Sequence, residues 1–142
     1  MKHVTVLLDH DAETRHPMHQ FVVEADGYTA SKLLSSTVTE GGVHTALFHI
    51  RGWPPEPYET ALLETQTVQE YAIATQPDDS FAVYVREALA DVDRQLVDSL
   101  ARTGLVTLFP IVYREDGTVE VTLVGPGEEL QAALESVPAP IT

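Results

Sequence analysis

Three histidines near the amino terminus have the side chains and the spacing of metal ligands. His10, His16 and His19 fall within a stretch that also contains Asp9 and Asp11. A neutral imidazole offers one nitrogen lone pair, so these histidines and a carboxylate such as Asp11 could supply the four ligands that zinc prefers. His16 and His19 are three residues apart, which places both on one side of a helix. The pattern predicts a candidate metal site at His10, His16, His19 and Asp11, or a site for another small ligand.

The same residues have ordinary structural interpretations. The histidines could be solvated loop residues, or His16 could cap a helix that begins at Pro17. Three weaker candidates for ligand binding are His49, on a predicted strand, and Trp53 and Tyr58, which flank a proline-rich helix start. The two aromatic residues could form an apolar wall of a site, although such a pair more commonly packs against the core.

No motif in the sequence indicates catalysis. A glycine-rich phosphate loop after a strand, a serine nucleophile elbow and a His-Glu-x-x-His zinc motif are all absent from the sequence. The chain has no cysteine, which excludes disulfides and thiolate catalysis and is consistent with the cytoplasm. We therefore expect a protein that is not an enzyme. The one cofactor that the sequence leaves open is a divalent transition metal at the histidines.

The composition limits the partners. Acidic residues outnumber basic ones 22 to 8 in 142 residues, and the net charge of -14 repels nucleic-acid phosphates. An acidic surface poor in lysine suits concentrated salt, so we expect a halophilic origin. The first apolar run is too short for a signal peptide or a membrane span, so we expect a soluble, cytoplasmic protein without a membrane partner.

The order of predicted elements repeats along the chain. Up to about residue 77 the patterns predict strand, helix, strand, strand, helix, strand, with Gly27 ending the first helix and a tight turn at Gly41-Gly42. From Phe81 the order starts again, with a helix over 89–100 and a hairpin turn at Asp116-Gly117.

This repeat predicts an α+β fold of two tandem ferredoxin-like units, described as βαββαβ and ACT-like. The first unit covers residues 1–77, and the second covers 78–142 with a truncated or short last strand. We expect antiparallel sheets with helices on one face. The second strand of each unit should be an edge, where Pro110 is tolerated because proline lacks the ladder donor.

Four segments of the chain resemble one family of regulators. They are RHPMHQFV at 15–22, RGWPPEPYETAL at 51–62, DDSFAVYVREALADVDRQLVDSLARTGLV at 78–106, and REDGTVEVTLVGPGEELQAALESVP at 114–138. In this order they resemble the amino-terminal domain of haloarchaeal transcription regulators of the bacterio-opsin activator type. The resemblance covers nearly the whole chain.

The resemblance implies a ligand- or signal-sensing regulatory domain that precedes a DNA-reading helix-turn-helix. That helix-turn-helix is not in this chain, so we expect contact with DNA only through such a domain. We expect a homodimer, since regulators that read two half-sites are usually dimeric, with a small-molecule or metal effector. Two other functions stay open: a small histidine-based metal-binding protein or enzyme of ferredoxin-like fold, and a pure dimerisation module.

Overall fold

The computed structural model describes residues 1–9, 15–39, 42–88 and 104–135. These residues form seven strands and three helices, which makes the structure α+β. The strands are β1 (Lys2–Asp9), β2 (Tyr28–Val38), β3 (Val43–Gly52), β4 (Val68–Gln76), β5 (Ser80–Ala88), β6 (Val106–Arg114) and β7 (Thr118–Gly125). The helices are α1 (Pro17–Glu24), α2 (Glu56–Glu64) and α3 (Gly127–Glu135).

One antiparallel sheet contains all seven strands, in the order β1-β7-β6-β2-β3-β5-β4. Three pairs of neighbours in the sheet, β2–β3, β4–β5 and β6–β7, are also consecutive in the chain and form hairpins. The predicted turn at Asp116-Gly117 is confirmed between β6 and β7. Gly117 has φ of 92°, and its N–H donates to the Arg114 carbonyl at 3.1 Å. A positive φ favours glycine at this position.

The middle of the sheet is the pairing of β2 with β6, between residues 30–33 and 111–114. We predicted each of these strands as the edge of its own unit, with the two sheets packing or pairing with each other or with a second chain. The two predicted edges pair with each other and so join the two halves of the sequence in a single sheet. Pairing satisfies the backbone donors and acceptors that two exposed edges would leave open. The outer strands of the described sheet are β1 and β4 instead.

The first strand of each sequence repeat lies in the half of the sheet that belongs to the other repeat. β1 pairs with β7, and β5 lies between β3 and β4. In a ferredoxin-like unit the first strand pairs with the third strand of the same unit. The tandem arrangement of two ferredoxin-like units is therefore not confirmed. The domain boundary between 1–77 and 78–142 stays a prediction.

The three helices cover one face of the sheet, as predicted. Met18 and Val22 of α1 and Leu62 of α2 belong to a buried cluster with the inward side chains of β2, β3 and β5. Leu130 of α3 packs in a second cluster with β1 and β7. Ile111 of β6 contacts both clusters, so the core is continuous across the β2–β6 pair. Burial of these side chains is the main favourable term for the fold.

Two local predictions about α1 are confirmed. The helix begins at Pro17, whose fixed φ suits the first helical position. It ends at Glu24, and Gly27 then takes φ of 95°, the left-handed conformation expected after a helix.

Pro110 lies in β6, which is not an edge strand. It falls in the irregular stretch between Leu108 and Val112, where the register of β6 against β7 shifts. The pairing of β6 with β2 begins only at Ile111. The proline is therefore placed where neither ladder needs its missing N–H.

The opposite face of the sheet carries exposed apolar side chains, among them Leu47 of β3 and Tyr84 of β5. No described helix lies over them. No helix within the described ranges is long and apolar enough to cross a membrane. The predicted helix over 89–100, and His10, Asp11 and Gly41, lie outside the described residues.

Candidate ligand-binding site

A cavity of about 340 Å³ lies between the helices and the sheet. Its walls include α1 and α2 on the helical side and β2, β3, β5, β6 and β7 on the sheet side. Most of the described lining side chains are apolar, and they include Leu33, Phe48, Leu62, Val85 and Val121. Cavities that hold small molecules start at roughly 300 Å³ and are mostly apolar with a few placed polar groups.

One end of the cavity is polar, and Glu87 of β5 is its central residue. Glu87 is 5% exposed and directly opposes His44 of β3 in the ladder, so their side chains are neighbours on the same face. His44 Nε2 lies 2.7 Å from Ser36 Oγ, which extends the polar groups onto β2. We call Ser36, His44, Glu87 and His16 the polar end of the cavity.

His16 connects the start of α1 to Glu87. Its Nδ1 accepts a hydrogen bond from the Met18 N–H at 3.0 Å, which caps the helix. Because Nδ1 is the acceptor there, the hydrogen of the neutral ring is on Nε2, and Nε2 donates to Glu87 Oε2 at 2.7 Å. The capping role, one of the ordinary interpretations of His16, is confirmed.

His19 lies one turn further along α1 and is also buried. Its Nε2 is 2.9 Å from the carbonyl oxygen of Arg114 at the end of β6, so this nitrogen carries the hydrogen and donates. The ring meets Tyr113 edge-on with centroids 5.3 Å apart. His19 thus connects α1 to the part of β6 that pairs with β2.

Tyr58 of α2 also lines the cavity and lies among aromatic rings. It contacts Phe21 and Phe81 edge-on, with centroids 5.6 and 5.2 Å apart. Burial, and then the negative charge of Glu87, raise the pKa of Tyr58 well above its usual value near 10. Its hydroxyl is therefore neutral at any physiological pH and within electrostatic reach of Glu87.

One family model matches residues 16–142, which include every described residue that lines the cavity. Its description is HVO_0513_N, N-terminal, and it represents a haloarchaeal protein domain. The chain belongs to this family. A search of curated proteins finds no match for this HVO_0513_N domain.

The HVO_0513_N domain brings three of the predicted ligand residues together and separates others. His16, His19 and Tyr58 all line the cavity. His49 lies on the opposite face of the sheet, where its Nε2 is 3.2 Å from Gln76 Oε1, and Trp53 is 45% exposed in the loop after β3. Neither of these two is among the described lining residues.

The predicted metal site extends beyond what the structure describes, because His10 and Asp11 are two of its four residues. Within the described ranges, no group of three or more His, Asp or Glu side chains is arranged to hold a metal ion. His16 uses the Nδ1 lone pair for the helix cap and His19 donates from Nε2, so a metal would have to compete for the first and bind the other nitrogen of the second. The metal site stays a prediction.

Sequence reasoning missed Glu87 and His44, although the signal was present. Phe81, Val83 and Val85 alternate inward on β5, and the next inward position is Glu87. The same period of two on β3 turns His44 inward with Ala46 and turns His49 outward. An acid or imidazole that continues an apolar stripe is a buried polar group, and such groups require partners.

Proposed function

We propose that this HVO_0513_N domain is the ligand-sensing regulatory part of a haloarchaeal helix-turn-helix transcription regulator of the bacterio-opsin activator type. The observation that carries the proposal is the cavity with its buried polar end. The family match supports an amino-terminal position in a longer protein. The four sequence segments described above support the regulator type.

The position of the cavity supports a sensing role. Its lining includes Ser31 of β2 and Tyr113 of β6, which oppose each other across the pairing that joins the two halves of the sheet. A ligand bound there would contact both halves at once. Binding would then stabilise one arrangement of the halves over others, which is the requirement for passing a signal to a neighbouring domain.

The fold proposed for this role is a pair of ferredoxin-like units with exchanged first strands. The orders β2-β3-β5 and β6-β7-β1 correspond if β5 replaces β1 in the first unit and β1 replaces β5 in the second. The two helices that each repeat predicts, and the hairpin turns at matching places, support this interpretation.

The proposal is tested by filling the cavity. Ser31 is buried in the cavity wall, and Ser35, four residues later on β2, is exposed. We expect some members of a library of small metabolites to raise the unfolding temperature of the domain in molar KCl, and Ser31→Leu to abolish those increases by occupying the cavity. Ser35→Leu is the matched control and should respond like the unsubstituted domain.

Two results would contradict the proposal. One is a library in which no compound stabilises the domain. The other is stabilisation that Ser31→Leu and Ser35→Leu retain equally, because the ligand would then bind elsewhere. The encoding gene tests the regulator separately: its reading frame should continue past Thr142 for about 60 residues with a helix-turn-helix pattern.

A further inference from the structure

The polar end of the cavity contains the buried carboxylate of Glu87, one of whose oxygens receives no hydrogen bond from the described residues. Among the described residues, both hydrogen bonds to Glu87 go to Oε2: His16 Nε2–H donates at 2.7 Å and the Thr67 hydroxyl donates at 3.0 Å. No described side chain or backbone group donates to Oε1. The Glu87 side chain is only 6% exposed, so little bulk water reaches it.

The remaining lining residues set the charge that the cavity accepts. None of the described lining residues is Lys or Arg, and Glu87 is the single acidic residue among the described lining residues. The described lining also contains His16, His19 and His44, and His16 is neutral while its Nδ1 accepts from the Met18 N–H. A buried carboxylate whose partners are neutral is costly, and a cation that enters the cavity would lower that cost. An anion would face the charge of Glu87 with no described Lys or Arg in the wall to offset it.

The apolar walls of the cavity determine the chemistry of the uncharged part of the ligand. Phe48 and Tyr113 contribute aromatic rings with centroids 6.1 Å apart, and Leu33 and Val85 add aliphatic surface to the same cavity. Burial of an apolar part of a ligand against this surface is favourable, and the faces of aromatic rings also attract an ammonium group.

Building on the proposed sensing function, we propose that the ligand is a small organic ammonium compound, with its N–H groups donating to Glu87 Oε1 and its apolar body among the aromatic and aliphatic walls. In this arrangement Glu87 holds three donors, from His16, from Thr67 and from the ligand. His16 fixes the carboxylate from the start of α1, so the ligand is linked to the position of that helix.

The test compares three probes of similar shape: 2-phenylethylammonium, the neutral 2-phenylethanol and the anionic 3-phenylpropanoate. Binding to the full chain is measured by calorimetry and by shifts of backbone amide NMR signals around the cavity. We expect 2-phenylethylammonium to bind at least about tenfold more tightly than the alcohol, and the anion to bind most weakly.

The variant Glu87→Gln keeps the size of the side chain and removes its charge. It should weaken 2-phenylethylammonium roughly 10- to 150-fold and leave 2-phenylethanol nearly unchanged. Glu64→Gln is the control, because Glu64 is exposed at the end of α2. The ranking of the probes is measured on the unsubstituted chain, so it decides the matter even if Glu87→Gln does not fold.

The outcomes separate this inference from the proposed function. If the alcohol or the anion binds as tightly as the ammonium, or if Glu87→Gln binds all three like the unsubstituted chain, the cationic ligand is wrong while a sensing cavity stands. If none of the probes shifts a signal around the cavity, the ammonium class is overturned. The metabolite library with Ser31→Leu then decides the sensing function independently.

Discussion

At the scale of single residues, the feature of most consequence is a polar group on an apolar face. Glu87 and His44 continue the inward stripes of β5 and β3, and His16 reaches Glu87 from the helix start. These contacts join three elements that are distant in the sequence. Burial strengthens these hydrogen bonds, and a buried polar group that lost its partner would lower the stability of the fold.

The raised pKa of Tyr58 predicts a pH dependence of stability. In the unfolded chain a tyrosine ionises near pH 10, whereas buried Tyr58 stays neutral to higher pH. Its contribution to stability is therefore complete below about pH 10 and is lost as the pH rises further, at up to about 1.4 kcal/mol per pH unit. Denaturant unfolding between pH 8 and about pH 11 should show this decline.

Tyr58→Phe removes the titrating hydroxyl, so the decline above pH 10 should become less steep in this variant. Tyr84→Phe, on the exposed opposite face, is the control and should keep the slope of the unsubstituted domain. Equal slopes in all three proteins would contradict the prediction. Residual decline in Tyr58→Phe is expected, because burial also raises the pKa of Tyr28.

Some of the site could be predicted from the sequence and some could not. Pro17 and the alternatives for His16 followed from local rules of helix starts, and Tyr58 followed from the helical period. The contact of His16 with Glu87 joins residues 71 apart in the chain, and no local pattern specifies it. His49 was a candidate by residue type alone, and the period of β3 turns it away from the cavity.

At the scale of elements, local patterns predicted each described strand and helix but not the partners of the strands. Hairpins follow from short turns, so β2–β3 and β6–β7 were predictable. β1 and β5 have similar apolar alternation, and both could lie beside either β3 or β7. That choice depends on tertiary packing and on connections through the whole chain, which single-sequence patterns do not contain.

The exchange of first strands predicts how the halves behave when they are separated. Residues 1–77 alone would lack β5 between β3 and β4, and residues 78–142 alone would lack β1 beside β7. We expect each fragment to be largely unfolded by circular dichroism in molar KCl, and an equimolar mixture to regain the signal of the intact chain. Two fragments that each fold alone would instead support independent tandem units.

At the scale of the whole molecule, the acidic surface and the uncovered face of the sheet act in opposite directions. A net charge of -14 on each chain opposes association at low salt. Exposed Leu47 and Tyr84 on the face without a described helix favour it. Screening over a few ångströms in molar salt weakens the repulsion and leaves the apolar attraction.

We therefore predict a homodimer whose formation increases with salt. Light scattering should give the mass of two chains in 2 M KCl and a larger monomer fraction in 0.1 M KCl at the same protein concentration. A monomer in 2 M KCl at millimolar concentration would contradict the homodimer. A dimer fraction that does not change with salt would contradict the role of charge.

The pairing of β1 with β7 also bears on the order in which the chain can fold during synthesis. Thr5 and Thr122, whose hydroxyls lie 3.0 Å apart, are 117 residues apart in sequence. Of the described strands β1 is synthesised before the others, and its partner β7 becomes available only after nearly the whole described chain has been made. Such distant contacts slow folding and expose a strand edge to aggregation in the meantime. β1 has only eight residues and ends at the acidic Asp9. A short strand with a charged end is less prone to pair with other chains while its own partner strand is not yet made.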